Sequence, residues 1–113
     1  MTREFLMMPA FDSQWSKMGL DDDYLQTIQL ELLLNPEVGD IIVGTGGLRK
    51  ARFAYNGKGK RGGARIIYID FVIAEKIILV YAYPKNERSS LSASEKKDLK
   101  KMIDILKENM GKG

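Results

Sequence analysis

A cationic, glycine-rich hairpin constrains this chain more than any other feature. Residues 44–68 read GTGGLRKARFAYNGKGKRGGARIIY, with two strand-like runs, 48–55 and 63–71, on either side of the loop 56–62. A loop that short joins neighbouring antiparallel strands and leaves no room for a crossover. Between Ile41 and Ile69 there is no Asp or Glu, yet the segment carries Arg49, Lys50, Arg52, Lys58, Lys60, Arg61 and Arg65. A hairpin so charged resists packing against itself. An anion from outside the domain is expected to complete it, and polyphosphate chains such as nucleic acids are the commonest of that kind.

The net charge of +3 understates this asymmetry, because residues 1–40 hold eight acids against only Arg3 and Lys17. The 113 residues suffice for one domain with a real core and are too few for two. His and Cys are both absent, which excludes disulfides, thiol nucleophiles, imidazole bases and the usual zinc sites together. There is no membrane-length apolar run and no signal-peptide pattern, so a cytoplasmic protein without membrane contact is expected.

Taken in order, residues 3–8 form a short apolar run ended by Pro9, which reads as a strand. Residues 11–18 read as a short helix capped by Asp12 or Ser13 and stopped by Gly19, with Trp15 in the core. Residues 21–34 make a better helix: three Asp residues suit the positive end of its dipole, Leu25, Ile28 and Leu32 form an apolar face, and Asn35-Pro36 stops it. The GTGG at 44–47 lacks the ending of a phosphate-binding loop and precedes a strand, so it reads as a turn.

Alternation along 48–55 puts Lys50 and Arg52 on one face and Arg49, Ala51 and Phe53 on the other. The near-continuous apolar run after Arg65 predicts a central strand covered on both sides. Residues 77–83 are the next strand. Ser92 and Glu95 then open a helix with a capping box, whose apolar stripe lies opposite the solvated Lys97, Lys100, Lys101 and Lys107. The order β-α-α-β-β-β-α describes an α+β domain with an antiparallel meander.

The runs GTGGLRKxR, GKGKRGGxRIIY and YxKNE, together with NPxxGD at 35–40, resemble the HigB branch of the RelE-like toxins of type II toxin–antitoxin modules. The resemblance implies a small twisted antiparallel sheet with two N-terminal helices on one face and a concave basic face opposite, and the domain is expected to pack its helices on one face. It implies a ribosome-dependent mRNA interferase that cuts mRNA in the A site. The expected partners are the ribosome, its mRNA and a cognate antitoxin, a helix-turn-helix protein like HigA. The family's catalytic basic positions fall on Lys50, Arg52, Arg65 and Lys85. Arg49, Lys58, Lys60, Arg61, Tyr83 and Asn86 are the expected RNA or ribosome contacts. The chain departs from RelE proper at Asn86, where a second arginine is the pattern, and at Ser92, where a tyrosine is. Tyr81, Tyr83 or Asn86 would fill those roles.

RNA carries its own nucleophile, the 2′-OH, so its cleavage needs an oriented backbone, proton transfer and charge stabilisation. Arginine holds phosphate oxygens and stays protonated. With no His, the proton carriers are Lys, Tyr and carboxylates; Lys50 or Lys85 is the candidate base, since neighbouring cations disfavour a protonated lysine. The reaction requires no metal or other cofactor, and the sequence offers no convincing carboxylate cluster to bind one. Two other readings use the same basic face: a non-catalytic RNA-binding module, and an inactive toxin-like interaction protein. The first does not need Lys50, Arg52 and Arg65 to converge at one point, and mild, salt-sensitive binding without RNA cleavage would favour the second.

Overall fold

The structure, a computed structural model, describes residues 3–54, 63–85 and 90–110. The elements run β1 (Glu4–Met7), α1 (Pro9–Met18), α2 (Asp22–Leu34), β2 (Asp40–Ile41), β3 (Arg49–Ala54), β4 (Gly63–Phe71), β5 (Lys76–Pro84) and α3 (Ala93–Met110). The expected order holds, with one addition: the two-residue β2. The sheet order is β1-β5-β4-β3-β2, so the apolar β4 is indeed the central strand.

Local signals account for most boundaries. Pro9 opens α1 rather than merely ending β1, because its missing N–H costs nothing in the first helical turn and its fixed φ suits that position. Gly19 closes α1 in the left-handed region at φ 69°. Asp21 caps α2 by accepting from the Tyr24 N–H at 2.8 Å. The predicted capping box closes reciprocally: Glu95 N–H donates to Ser92 Oγ (3.1 Å) and Ser92 N–H to Glu95 Oε1 (2.9 Å).

The meander β2-β3-β4-β5 is antiparallel, but β1 adds to it in parallel beside β5. Residues 3–8 cannot reveal this, since the partner strand β5 lies far along the chain and no turn joins the two. Arg3 anchors the arrangement through Asp70 at 2.7 Å, with both side chains largely buried.

Two apolar layers sandwich the sheet. On one face α1 and α2 bring Phe11, Trp15, Tyr24, Ile28 and Leu32 onto Phe53, Ile66, Tyr68, Ile77 and Leu79. On the other, Ile103 of α3, with Leu99, Met102 and Leu106 beside it, packs over Leu48, Ile67, Ile69, Ile78 and Val80. The two N-terminal helices share one face, as the resemblance implies, whereas α3 packs on the other, where the expectation of helices on one face did not put it. The physical reason lies in β4 itself: Ile67 and Ile69 alternate with Ile66 and Tyr68, so both faces are apolar and both need cover. Among the described residues no helix is long and apolar enough to cross a membrane.

Candidate functional site

The cationic residues come together by strand register. Lys50 and Arg52 are two apart on β3 and so share a face. Arg52 pairs directly with Arg65 on β4, and Arg65 in turn pairs with Tyr83 on β5. The next row reads Lys50, Ile67, Tyr81. Two strands, β3 and β4, thus present Lys50, Arg52 and Arg65 on the face that α3 partly covers, with directly opposite Cβ atoms about 5 Å apart. Arg52 is exposed, while Lys50 and Arg65 are half-buried.

A β-bulge completes the arrangement. Ile67 pairs with Tyr81 but Tyr68 with Leu79, so Val80 is an extra residue in β5. Strict alternation would put Tyr81 and Tyr83 with Ile77 and Leu79 on the α1–α2 face. The extra residue turns both tyrosines to the cationic face, their ring centroids 6.3 Å apart. Lys85 follows at once: its N–H donates to the Gly63 carbonyl (2.9 Å), holding it at the end of β4 that carries Arg65.

Not every expected residue stands at the surface. Tyr83 is 0% exposed and belongs to the apolar layer with Leu91 and Ile103, beside Arg65 in the ladder, so it offers no open face to a ligand. Arg49 points to the other side of the sheet, where its guanidinium donates to the carbonyls of Gly39 (2.7 Å) and Glu37 (3.3 Å). Its charge is spent on pinning the 35–40 loop. Lys58, Lys60, Arg61 and Asn86 lie outside the described residues.

That loop matters because it ends in Asp40. The Tyr68 hydroxyl accepts from the Gly39 N–H (2.9 Å) and donates to the Pro36 carbonyl (2.7 Å). Burial of the phenol pushes its pKa above the ordinary 10.0 despite the Gly39 bond and nearby Arg49. A Cβ on Gly39 would stand 2.9 Å from the Tyr68 ring and 3.0 Å from the Lys50 backbone, so this close approach admits only glycine. The anchored loop delivers Asp40 opposite Lys50 in the β2–β3 ladder.

Sequence reasoning missed Asp40 and Lys96 as neighbours of Lys50; both line a cavity beside it. No local pattern marks them, although the acid-free segment begins immediately after Asp40. Electrostatically, the middle of the site remains one-signed. Like charges directly opposite on adjacent strands are destabilising, and the Nε of Arg65 is buried with no hydrogen-bond partner among the described residues. A buried donor left this way calls for an explanation, and an acceptor supplied by a ligand is the simplest one. Arg52 and Arg65 can clamp an anion's oxygens with fixed forks of donors, beside lysines able to carry protons.

The model of a family described as the RelE toxin of the RelE / RelB toxin-antitoxin system matches residues 16–112. Among solved structures, the chain is similar to a double arginine-to-alanine mutant of the E. coli toxin RelE in the free state. The TM-score is 0.58 at 16% identity, over 87% of this chain and 93% of that one. At that identity the likeness speaks for the fold alone.

Proposed function

This chain belongs to the RelE toxin family, and from that premise we propose that it is a ribosome-dependent mRNA endoribonuclease, the toxin of a type II toxin–antitoxin module of the HigB branch. The observation that carries the proposal is the pairing of Arg52 with Arg65, with Lys50 on the same face. A general RNA-binding surface gains nothing from crowding these charges into adjacent rows. A single phosphorane-like charge does.

In the reaction, the 2′-oxygen of one ribose attacks the adjacent phosphorus while the bond from phosphorus to the 5′-oxygen breaks. The products are a 2′,3′-cyclic phosphate and a free 5′-OH. Arg52 and Arg65 hold the non-bridging oxygens and stabilise the charge that develops on them. Lys50, one row along from Arg52 on β3, and Lys85, just after β5, are the candidates to take the 2′-proton and return one to the leaving oxygen. With so sparse a proton-transfer set, much of the rate comes from orienting the RNA backbone, which a ribosomal A site supplies by splaying the codon. Metal plays no part in this scheme. The protein acts in the cytoplasm and is held inactive by a HigA-like helix-turn-helix antitoxin.

One labelled mRNA, free and bound to translating ribosomes, tests the proposal. Codon-phased cutting on ribosomes that leaves 5′-OH ends without added metal, and little cutting of free RNA, is expected. Equal cutting of both substrates removes the ribosome dependence. No cutting of either leaves the basic face as a binding surface only.

A further inference from the structure

The outward face of α2 breaks the pattern that a surface helix follows. Tyr24, Ile28 and Leu32 already supply its buried stripe, so the opposite side is expected to carry polar residues. Instead Leu30 is 58% and Leu34 76% exposed, one turn apart, and Val38, four residues further on, is 48% exposed. Met7 of β1 adjoins the patch, since the side chain of Gln29 donates to its sulfur at 3.6 Å. Exposed apolar residues scattered singly are ordinary. A set aligned on one helix marks a surface that another protein covers.

The charge around that stripe says what covers it. Residues 21–40 contain Asp21, Asp22, Asp23, Glu31, Glu37 and Asp40 and no Lys or Arg. All six acids are exposed, and Asp22, Asp23, Glu31 and Glu37 form no ion pair among the described residues. RNA and anionic lipid surfaces are repelled by such a field. The chemistry that matches it is an apolar stripe flanked by cations. At helical spacing Asp23, Leu30 and Leu34 (i, i+7, i+11) fall on one line, with Glu31 beside it. That line is about 16 Å long, which three turns of a partner helix cover with anchors at i, i+3 or i+4, and i+7.

We propose that the outward face of α2 is a docking surface for a basic amphipathic helix of a partner protein. Leu30 and Leu34 are its apolar anchors, and Asp23 and Glu31 its charge contacts. α2 lies on the opposite side of the sheet from Lys50, Arg52 and Arg65, so this surface stands independently of the RNA reading.

The test is a titration of the full chain with three synthetic helical peptides, following backbone amide resonances. One carries a leucine stripe flanked by lysines, the second the same stripe flanked by glutamates, and the third is the lysine peptide scrambled to lose its stripe. The lysine-flanked peptide is expected to shift the amides of Gln26, Leu30, Leu34 and Val38, and the scrambled one to leave them unmoved. The glutamate-flanked peptide is expected to bind about tenfold more weakly, the change that a few exposed ion pairs turned to repulsion produce. Leu30→Gln with Leu34→Gln alters only exposed side chains, so thermal unfolding should stay unchanged while binding of the lysine-flanked peptide falls about tenfold or more. Equal binding of the lysine and glutamate peptides, no response at those four amides, or undiminished binding by the double variant overturns the proposal. So does a chain that sediments as a dimer and becomes monomeric in the double variant, because a second copy then covers the stripe. Cutting of ribosome-bound mRNA separates the two readings. A chain that binds the lysine peptide without cutting keeps the docking surface and discards the nuclease, and one that cuts but ignores the peptide does the reverse.

Discussion

Arg52 and Arg65 face each other across the β3–β4 ladder, two guanidinium side chains on the same side of the sheet. Opposed like charges cost stability, and Arg65 adds a buried Nε without a hydrogen-bond partner among the described residues. Replacing Arg65 by Gln therefore removes an unfavourable pair. We expect Arg65→Gln to leave the unfolding midpoint unchanged or slightly raised, within about 1 kcal/mol, while growth inhibition on expression is lost. A variant that unfolds, or one that still arrests cells, contradicts this assignment.

Tyr68 ties the loop that carries Asp40 to the centre of the sheet, and its hydroxyl is the only group placed between Gly39 N–H and the Pro36 carbonyl among the described residues. Tyr68→Phe strands both in a buried setting, a cost of about 1–3 kcal/mol, to be read from urea denaturation at neutral pH. The pH dependence follows from the raised pKa, which is due first to burial. Above its ordinary value of 10.0 the unfolded chain loses the phenolic proton before the folded one does. The stabilisation is thus complete below that pH and is lost as the pH climbs toward the folded value. Compared with wild type, Tyr68→Phe should show a flatter alkaline decline, and parallel curves would show that Tyr68 does not contribute to it.

The capping box at Ser92 and Glu95 sets where α3 begins, and with it the positions of Ser90, Leu91 and Lys96. Ser92→Ala is expected to cost about 1 kcal/mol of stability. Amide exchange should quicken first in the first turn of α3. Uniform acceleration across the sheet would mean that α3 does not fray from that end.

Arg3 and Asp70 hold β1 to the sheet through a largely buried ion pair. Removing one partner strands the other's charge, whereas replacing both with apolar groups does not. Asp70→Asn should lower the melting temperature and expose the β1 amides to exchange, while the double variant Arg3→Met with Asp70→Leu should recover part of the loss. Equal melting temperatures for wild type and Asp70→Asn would show the pair to be dispensable.

Much of this molecule was legible in the sequence because its signals are local. Gly19, Asp21 and the Ser92–Glu95 box act within one helical turn, and each ended or began a helix where expected. Alternation over a few residues of β3 separated Lys50 and Arg52 from Arg49, Ala51 and Phe53, and the charge segregation pointed to the same strand. The unbroken apolar run of β4 announced a central strand covered on both faces.

The tertiary structure alone decided what depends on pairing between distant segments. The bulge at Val80 reverses the facing of Tyr81 and Tyr83, because a single added residue changes the parity of every side chain beyond it. The parallel seat of β1, the diversion of Arg49 to Gly39 and Glu37, and the meeting of Asp40 with Lys50 each depend on a register between strands. Register is chosen by the burial of the whole sheet, a sum over many contacts that no window of neighbouring residues contains.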